Sequence, residues 1–395
     1  MSARITGTRA MGIRLPIIKK GNDLAASVVD ALARGMENGE FTLKDRDIVA
    51  VTESILARCQ GNFVNLSTVT KELQTKYKEG IGVVFPVLSR NRFSLILEAV
   101  IRTGLPVTVV LTYPTDEVGN QLMHVETLIE HNINPYTDVF TEEEYRKMAG
   151  ASFHHPFTGI DYVQLYKDMG IDDNVTLVFS NDPVAVLQYT DEVLVANIHD
   201  RHNVKRKLLE AGAKTVYALD EICATPGEEG YNPMFGLLGS NLSSDKQLKL
   251  FPRDSEEFVF SLQKRLYDRF GVKMEVMVYG DGAFKDPVGK IWELADPVVS
   301  PGFTRGLEGM PSELKLKYVA DNEFAHLEGE DLGLAMREKI KERGTHPVGQ
   351  KESVGTTPRH ITDLLGSLAD LVSGSGDKGT PVVLVQGYFD NYATE

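Results

Sequence analysis

Carboxylates, hydroxyls and arginines end or follow several apolar segments of this sequence that are typical of β-strands. The segment 48–52 ends in Thr52 and Glu53, and the segment 274–279 leads into Asp281 in the turn YGDG. Ligands of open α/β proteins bind at the carboxyl ends of strands, where the loops converge. Carboxylate oxygens suit Mg²⁺ or Mn²⁺, and basic side chains bind phosphate. The pattern therefore predicts a site for phosphoryl transfer.

The turn SRNRF follows the segment 81–88 and contains Arg90, Asn91 and Arg92. The planar guanidinium of arginine binds phosphate and carboxylate groups, so this turn is a candidate ligand clamp. The alternative is a solvated turn whose arginines form surface ion pairs of little energetic weight. The residue types alone leave both interpretations open.

Two adjacent carboxylates, Asp116 and Glu117, follow the segment 107–113 in the motif PTDEVGN. They are candidate metal ligands, because hard divalent cations take carboxylate oxygens. The alternative is a plain turn, in which Pro114 sets the entry and Gly119 closes it.

Arg359 ends the motif GTTPR, which immediately precedes a predicted helix. Free backbone N–H groups at the start of a helix can hold an anion, and the arginine adds positive charge. The alternative is an ordinary helix cap by Thr356 or Thr357.

Apolar β-branched segments alternate with amphipathic helices along most of the chain, which predicts a sheet covered by helices. The segment Asn22 to Met36 predicts a helix that Asn22 or Asp23 caps. The stretch DSEEFVFSLQKRLYDRFG predicts a second one. A run rich in Gly, Pro, Asn and Ser at 224–245 predicts a loop or a boundary.

The chain has 395 residues, of which 42% are hydrophobic, and a formal net charge of −14. Such an acidic chain is not expected to bind nucleic acid or anionic membranes, because both need a positive field. An apolar run of about 18 residues is absent from the sequence, and its start does not resemble a secretion signal. The two cysteines fit a reducing compartment. We therefore expect a cytoplasmic protein without a membrane segment.

Two stretches resemble the coenzyme F420-0 γ-glutamyl ligase family. The first runs from GIRLPIIKKGNDL to the segment DRDIVAVTESILARCQGNFVNL, and the second is GLLGSNLSSDKQLKLFPRDSEEFVFSLQKRLYDRFGVKMEVMVYGDG. They cover roughly the first 65 residues and residues 236–300. The order of the elements between them fits a longer subgroup that carries insertions.

The resemblance implies a mixed α+β and α/β fold, a ligase-like fold with inserted α/β segments. It implies a ligase-like part at 1–235 with an insertion at about 66–235, a second ligase-like segment at 236–342, and a loop-helix-strand element at 343–395. It also implies a homodimer.

The implied reaction is the joining of an amino acid, glutamate in the family, to an acidic, cofactor-like acceptor through an acyl phosphate. GTP or ATP is the co-substrate, and Mg²⁺ or Mn²⁺ neutralises its phosphates. Two alternatives stay open. One is a non-catalytic nucleotide-binding, metabolite-binding or regulatory protein on the same fold, and the other is a phosphotransferase.

The resemblance assigns roles to individual residues, and no catalytic residue is among them. Asp281 matches a metal-binding aspartate, whereas Leu238 stands where the family has a second carboxylate. Asp245, Asp116 or Glu117 is the expected substitute. The expected lining of the nucleotide and substrate site is Thr52, Glu53, Arg58, Arg90, Asn91, Arg92, Ser240, Asn241 and Arg359.

Overall fold

The computed structural model describes residues 5–282, 295–311, 313–342, 359–373 and 376–394 of the chain. Its strands are β1 (Arg9–Ile13), β2 (Ile48–Thr52), β3 (Phe63–Asn65), β4 (Ile81–Val84), β5 (Val107–Leu111), β6 (Phe140–Thr141), β7 (Val175–Phe179), β8 (Glu192–Val195), β9 (Thr215–Ala218), β10 (Asn241–Ser244), β11 (Gln247–Lys249), β12 (Glu275–Tyr279), β13 (Gly302–Phe303) and β14 (Val382–Gln386).

The α-helices are α1 (Leu24–Glu37), α2 (Glu53–Gln60), α3 (Leu66–Lys76), α4 (Phe93–Ile101), α5 (Val125–Glu130), α6 (Glu142–Ala149), α7 (Tyr162–Asp168), α8 (Arg201–Glu210), α9 (Ser255–Phe270), α10 (Leu316–Asn322), α11 (Gly329–Glu342) and α12 (Ile361–Val372). Short 3₁₀ helices lie at Pro183–Gln188, Leu219–Glu221 and Arg305–Leu307. The predicted mixed α+β and α/β class is confirmed.

The first sheet has the order β1-β14-β2-β12-β13. Within it β2 and β12 run parallel, with Thr52 opposite Tyr279 at their carboxyl ends. Alternate residues of these strands pack against α1 and α9 on one face and against α12 on the other. Because both faces are covered, the strands are apolar throughout. Helix α2, which follows β2 directly, and the turn after β12 therefore begin side by side at one edge of the sheet.

The predicted helices are present as α1 and α9. Asp23 caps α1, since its carboxylate accepts a hydrogen bond from the backbone N–H of Ala26 at 2.9 Å. On α9 the buried side chains are Val259, Leu262 and Leu266, one helical face. Gly271 ends α9 in the left-handed region, at a φ of 70°, where a side chain would be strained.

A second sheet, with the order β6-β7-β5-β4-β8-β9, occupies the range 81–218. All its pairs are parallel except β6 with β7. Numbered along the chain, its five parallel strands run 3-2-1-4-5, the doubly wound order, which reverses between β4 and β8. This sheet lies within the range predicted for the insertion, and we refer to the sheet and the helices between its strands, residues 81–218, as the inserted unit.

The predicted strand 81–88 is shorter in the structure, because β4 ends at Val84. Phe85 adopts a φ of 59°, in the left-handed region, and this turns the chain out of the sheet. Residues 85–92 therefore form a loop between β4 and α4.

The second ligase-like segment shares a core with the insertion. A three-stranded antiparallel sheet, β10-β11-β3, joins chain segments on both sides of the doubly wound unit. Leu237, Leu250 and Phe251 belong to the same buried cluster as Ile81 and Val107 of the inserted sheet. The two parts therefore meet through continuous packing.

The end of the described chain completes the first sheet. β14 lies between β1 and β2 and pairs antiparallel with both. Within the described residues, no helix combines the length and the apolar character needed to span a membrane.

Candidate active site

The guanidinium of Arg92 lies between two carboxylates at the edge of the first sheet. Its two terminal nitrogens donate hydrogen bonds to Asp281 and to Asp296, each at 2.8 Å. The side chain of Asp296 is 1% exposed, so this ion pair is largely removed from water. Arg92 precedes α4 of the inserted unit, whereas Asp281 lies in the turn directly after β12 and Asp296 lies further along the same part of the chain. The contact therefore joins the two sheets at the site.

The loop between β4 and α4 is held at several points, which fixes where Arg92 starts. The hydroxyl of Ser89 accepts a hydrogen bond from the backbone N–H of Arg92 at 2.8 Å. The backbone N–H of Leu88 donates to Asp116 at 2.8 Å, and that of Ser89 donates to the Tyr166 hydroxyl at 3.1 Å. These hydrogen bonds hold the loop against the rest of the inserted unit.

The turn after β12 packs its backbone against two further carboxylates. The N–H of Asp281 donates to Asp296 at 2.8 Å, and the N–H of Gly282 donates to Asp370 of α12 at 2.9 Å. A Cβ atom at Gly280 would lie 2.3 Å from Oδ2 of Asp296, a distance that no side chain tolerates. Glycine at this position therefore permits the close approach of Asp296.

Glu53, the first residue of α2, forms a buried ion pair with Lys249 of β11. The Lys249 ammonium donates to both carboxylate oxygens, at 2.5 and 2.7 Å, and both side chains are 9% exposed. Glu53 also interacts electrostatically with Asp296 and Arg92. Since Glu53 and Asp281 follow neighbouring parallel strands, they belong to one charged cluster.

Negative charge outweighs positive charge in the described part of this cluster. Glu53, Asp281, Asp296 and Asp370 face two cations, Arg92 and Lys249. Burial, and then the neighbouring Asp296, raise the pKa of Asp281 to about 7 against the opposing effect of Arg92. Burial also raises the pKa of Glu53 and of Asp370. An additional cation would relieve these carboxylates.

The carboxylates fit a cation that arrives with a phosphate ligand. Among the described residues, no three His, Cys, Asp or Glu side chains are arranged to hold a metal ion by themselves. However, one oxygen of Asp281 and one of Asp370 accept no hydrogen bond from the described chain. Mg²⁺ usually takes one or two carboxylates and completes its shell with water and substrate phosphates. The two available oxygens are candidate ligands for such a cation.

A family model for F420-0:γ-glutamyl ligases matches residues 12–387 of the chain. The chain belongs to this family. The match spans nearly the whole sequence and confirms the resemblance, and it also runs through the residues of the inserted sheet. Among curated proteins, none matches the chain significantly. Family membership indicates a ligase that acts on small molecules, with γ-glutamyl ligation of F420-0 as the activity that the family name describes.

Several residues that the ligase resemblance singled out lie at or near this edge of the sheet. Thr52 ends β2 opposite Tyr279. Asn241 pairs with Lys249 across β10 and β11, and its side-chain oxygen accepts the N–H of Leu242 at 2.8 Å. Ser240 is 2% exposed, and its hydroxyl has no partner among the described residues.

Other predicted ligase-site residues point elsewhere or are solvent-exposed. Arg58 on α2 donates to the carbonyl of Ile18 at 3.0 Å. Arg90 and Asn91 are exposed, and the carbonyl of Asn91 accepts the N–H of Leu242 at 2.8 Å. Arg359 is exposed just before α12, while residues 355–358 of its motif lie outside the described residues. Their binding roles stay predictions.

Asp116 and Glu117 are occupied by contacts within the inserted unit. Asp116 is buried, and it accepts hydrogen bonds from the backbone N–H groups of Leu88, Val118 and Asn120 and from the Asn120 side chain. Glu117 accepts hydrogen bonds from the N–H groups of Ile198 and His199. Within the described residues, neither carboxylate contacts Asp281. Their expected role as metal ligands stays untested.

Three members of the charged cluster were not predicted. Asp296 and Asp370 follow no strand, and no motif in the sequence marks them. Lys249 alternates with Leu248 and Leu250, the pattern of a strand with one face in solvent. The sequence therefore predicts an exposed lysine, and its burial against Glu53 could not be foreseen.

Proposed function

We propose that this member of the γ-glutamyl ligase family is a ligase that depends on a nucleotide and a divalent metal. It joins an amino acid, glutamate, to the carboxylate of an acidic, cofactor-like acceptor. The observation that carries the proposal is the charged cluster after β2 and β12, in which four described carboxylates face two cations. A divalent cation held between these carboxylates and a triphosphate would offset the excess negative charge of the protein groups.

In this proposal Asp281 and Asp370 hold Mg²⁺ or Mn²⁺ with the oxygens that accept no hydrogen bond from the described chain. The bound cation neutralises the charge of the GTP or ATP phosphates. Arg92 keeps its charge, because burial lowers its pKa but the summed effects of Asp296, Asp281 and Glu53 raise it by more. It therefore supplies a fixed positive group beside the reacting oxygens.

The reaction has two balanced steps. An acceptor carboxylate oxygen attacks the γ-phosphorus and displaces the nucleoside diphosphate, which leaves an acyl phosphate. The amine of the amino acid then attacks the acyl carbon, loses a proton and displaces inorganic phosphate. The chain's part is to position the two substrates and to exclude water, since a free acyl phosphate would be hydrolysed.

We extend the proposal to a cytoplasmic homodimer, on the strength of the family resemblance.

A second candidate function is binding without catalysis. Leu238, which stands where the family is expected to have a carboxylate, is 1% exposed and packs in the apolar core. A site with one carboxylate fewer can bind a nucleotide or another metabolite and yet fail to activate it. Release of phosphate, measured with an acceptor and an amino acid, separates the two functions.

The direct test is the melting temperature of the purified protein with GTP or ATP, each with and without Mn²⁺ or Mg²⁺. A ligand at about 100 times its dissociation constant stabilises the native state by about 2.7 kcal/mol. We expect a shift that needs both nucleotide and metal and that disappears in Asp281→Ala. The matched control is Asp30→Ala, an exposed carboxylate on α1. If no nucleotide shifts the transition under any metal condition, the proposed function is wrong.

A further inference from the structure

A groove of about 400 Å³ lies beside the three-stranded sheet β10-β11-β3. Its floor is the face of that sheet from which Phe63 and Asn65 of β3 and Gln247 of β11 project. One wall is the carboxyl end of α2, and the other is the loop 227–231. The volume is within the range of small-molecule pockets, so the groove has room for a ligand and not only for water.

The groove is separate from the charged cluster of the candidate active site. Glu53 begins α2 and Gln60 ends it, and at about 1.5 Å per residue this places about 10 Å of helix between the two. Lys249 lies opposite Phe63 across β11 and β3, and Glu53 already compensates its charge. Among the described lining residues of the groove, none is a carboxylate of the cluster.

Arg253, at the edge of the groove, is held in place while part of its guanidinium stays available. Its backbone N–H donates to the Gln60 side chain at 3.0 Å, and its carbonyl accepts from that side chain at 2.6 Å. Its Nη1 donates to Asn62 at 2.8 Å, and its guanidinium carbon lies 4.6 Å from the centroid of the Tyr231 ring. Among the described residues, Nε and Nη2 have no acceptor and Arg253 forms no ion pair. A fixed guanidinium with two available donors suits a carboxylate, which accepts two parallel hydrogen bonds.

Lys20 supplies a second cation at the groove. A Cβ atom at Gly61 would lie 2.4 Å from Cδ of Lys20, so the lysine stem packs directly on the glycine that ends α2. Only glycine permits this close approach. The side chain of Lys20 is exposed, and it has no hydrogen bond or ion pair within the described part of the chain.

Two carboxylates also line the groove, and one of them is available. Both oxygens of Glu229 accept hydrogen bonds from Asn65, one from its backbone N–H at 2.6 Å and one from its side-chain amide. Glu228 is exposed and has no partner among the described residues. The carbonyl end of α2 adds a partial negative charge. The charges left for a ligand are therefore two cations and one carboxylate.

We propose that this groove binds an acidic amino acid. Such a ligand carries two carboxylates and one ammonium, the complement of the available charges of the groove. Arg253 binds one carboxylate through two hydrogen bonds, Lys20 binds the other, and Glu228 binds the ammonium. The proposal goes beyond the proposed ligase reaction, because an amino acid held here lies about the length of α2 away from the charged cluster.

The test is equilibrium binding to the full chain, by calorimetry or ligand-observed NMR, without nucleotide or metal. The probes are glutamate, glutamine and glutarate. Glutamine lacks the side-chain charge and should bind about tenfold more weakly than glutamate, because hydrogen bonds to charged groups are the stronger kind. Glutarate lacks the ammonium and should bind about threefold more weakly, because Glu228 is exposed. Equal binding of glutamate and glutamine, or no binding of glutamate at millimolar concentration, would overturn the proposal.

Variants of the two exposed residues locate the binding. Lys20→Gln should weaken glutamate binding about fivefold, whereas Lys317→Gln, at an exposed lysine on α10, should leave it unchanged. Glu228→Gln should weaken glutamate binding and leave glutarate binding the same or tighter. Unchanged glutamate affinity in Lys20→Gln, or an equal loss for both ligands in Glu228→Gln, would show that the amino acid does not bind in the groove.

Arg253→Lys keeps the charge and removes the second donor of the fork, so we expect about a tenfold loss of glutamate affinity. Arg253 also holds Asn62, and this variant is therefore informative only when its melting temperature matches that of the unmodified chain. The Lys20 and Glu228 variants decide the proposal in either case.

The outcomes also separate this proposal from the proposed function. Glutamate binding that depends on Lys20, together with no nucleotide-dependent melting shift, supports the groove and contradicts the ligase proposal. Glutamate binding that is lost in Asp281→Ala and unchanged in Lys20→Gln would place the amino acid at the charged cluster. That result would overturn the groove proposal and support the ligase.

Discussion

The Lys249 ammonium contacts both carboxylate oxygens of Glu53, although 196 residues separate the two in the chain. The pair joins the first ligase-like segment to the second beneath the candidate site. Both side chains are 9% exposed, so each charge depends on the other for compensation. Breaking a buried pair on one side leaves an uncompensated charge, which costs far more than the loss of a surface pair.

We expect Glu53→Gln to lower the free energy of unfolding by about 3 to 5 kcal/mol, because Lys249 then stays buried without a counter-ion. Urea denaturation measures the change. The control is Asp268→Asn, which removes an exposed pair with Lys264 and should cost about 0.5 kcal/mol or less. Adding Lys249→Met to Glu53→Gln should recover part of the lost stability, because the buried charge is then removed. If the losses of the two single variants simply add in the double variant, the two side chains do not form a buried ion pair.

Arg92 and Arg102 flank the two ends of α4, and their substitution should have very different effects. Arg92→Gln leaves Asp281 and Asp296 without their cation, and we expect a loss of about 3 to 5 kcal/mol. Arg102→Gln breaks an exposed pair with Glu98 and should cost about 0.5 kcal/mol or less. Chemical denaturation of both variants checks this, and similar losses would show that the Arg92 contact is not a buried bridge.

The pKa of Asp281, raised to about 7 in the folded chain, predicts a pH effect on stability. The ordinary value for aspartate is about 3.9, so the folded state holds the proton more tightly between about pH 4 and pH 7. This contribution to stability is complete below about pH 4 and is lost as the pH rises through about 7. The substitution Asp281→Asn removes this pH-dependent contribution to stability.

We therefore expect the stability of the unmodified chain to fall relative to that of Asp281→Asn as the pH rises from about 4 to about 7. Urea midpoints at several pH values in this window measure the difference. A difference that is constant with pH, or that grows in favour of the unmodified chain, would show that the pKa of Asp281 is not raised.

Asp116 should stabilise the loop that carries Arg92. Its carboxylate accepts four hydrogen bonds, one of them from Leu88 in that loop. We expect Asp116→Ala to destabilise the protein by about 1 to 3 kcal/mol, because buried N–H donors lose their acceptor. The metal-dependent part of the nucleotide melting shift should persist in this variant. Its complete loss would instead support Asp116 as a metal ligand.

A substitution at Gly280 tests how closely the carboxylate of Asp296 approaches the backbone there. A Cβ atom at Gly280 would lie 2.3 Å from Oδ2 of Asp296, so Gly280→Ala must push that carboxylate away from Arg92. We expect a loss of about 1 to 3 kcal/mol, as for other overpacked sites. Gly227→Ala is the control, since a Cβ atom there meets nothing within 4 Å. Equal stability of the two variants would contradict the geometry.

Local patterns predicted the part of the site that lies next to strands. Glu53 and Asp281 could be predicted because each follows an apolar β segment, and parallel pairing of β2 and β12 then places them side by side. Asp296 and Asp370 could not be predicted. Asp296 lies in the described residues 295–301, which belong to no helix or strand, and Asp370 reaches the site through the docking of α12. No periodicity in the sequence encodes either position. The same holds for the contact of Arg92, whose partners are 189 and 204 residues away.

The position of β14 between β1 and β2 bears on the order in which the molecule can form during synthesis. Ribosomes deliver a chain from its amino end, and domains generally fold as units as they emerge. The doubly wound sheet, complete by Ala218, can close while the remaining residues are still being added. The first sheet cannot, because β1 and β2 meet their shared neighbour only when residues 382–386 arrive. The first sheet is therefore completed only after its last strand has been synthesised, whereas all strands of the doubly wound sheet are present by Ala218.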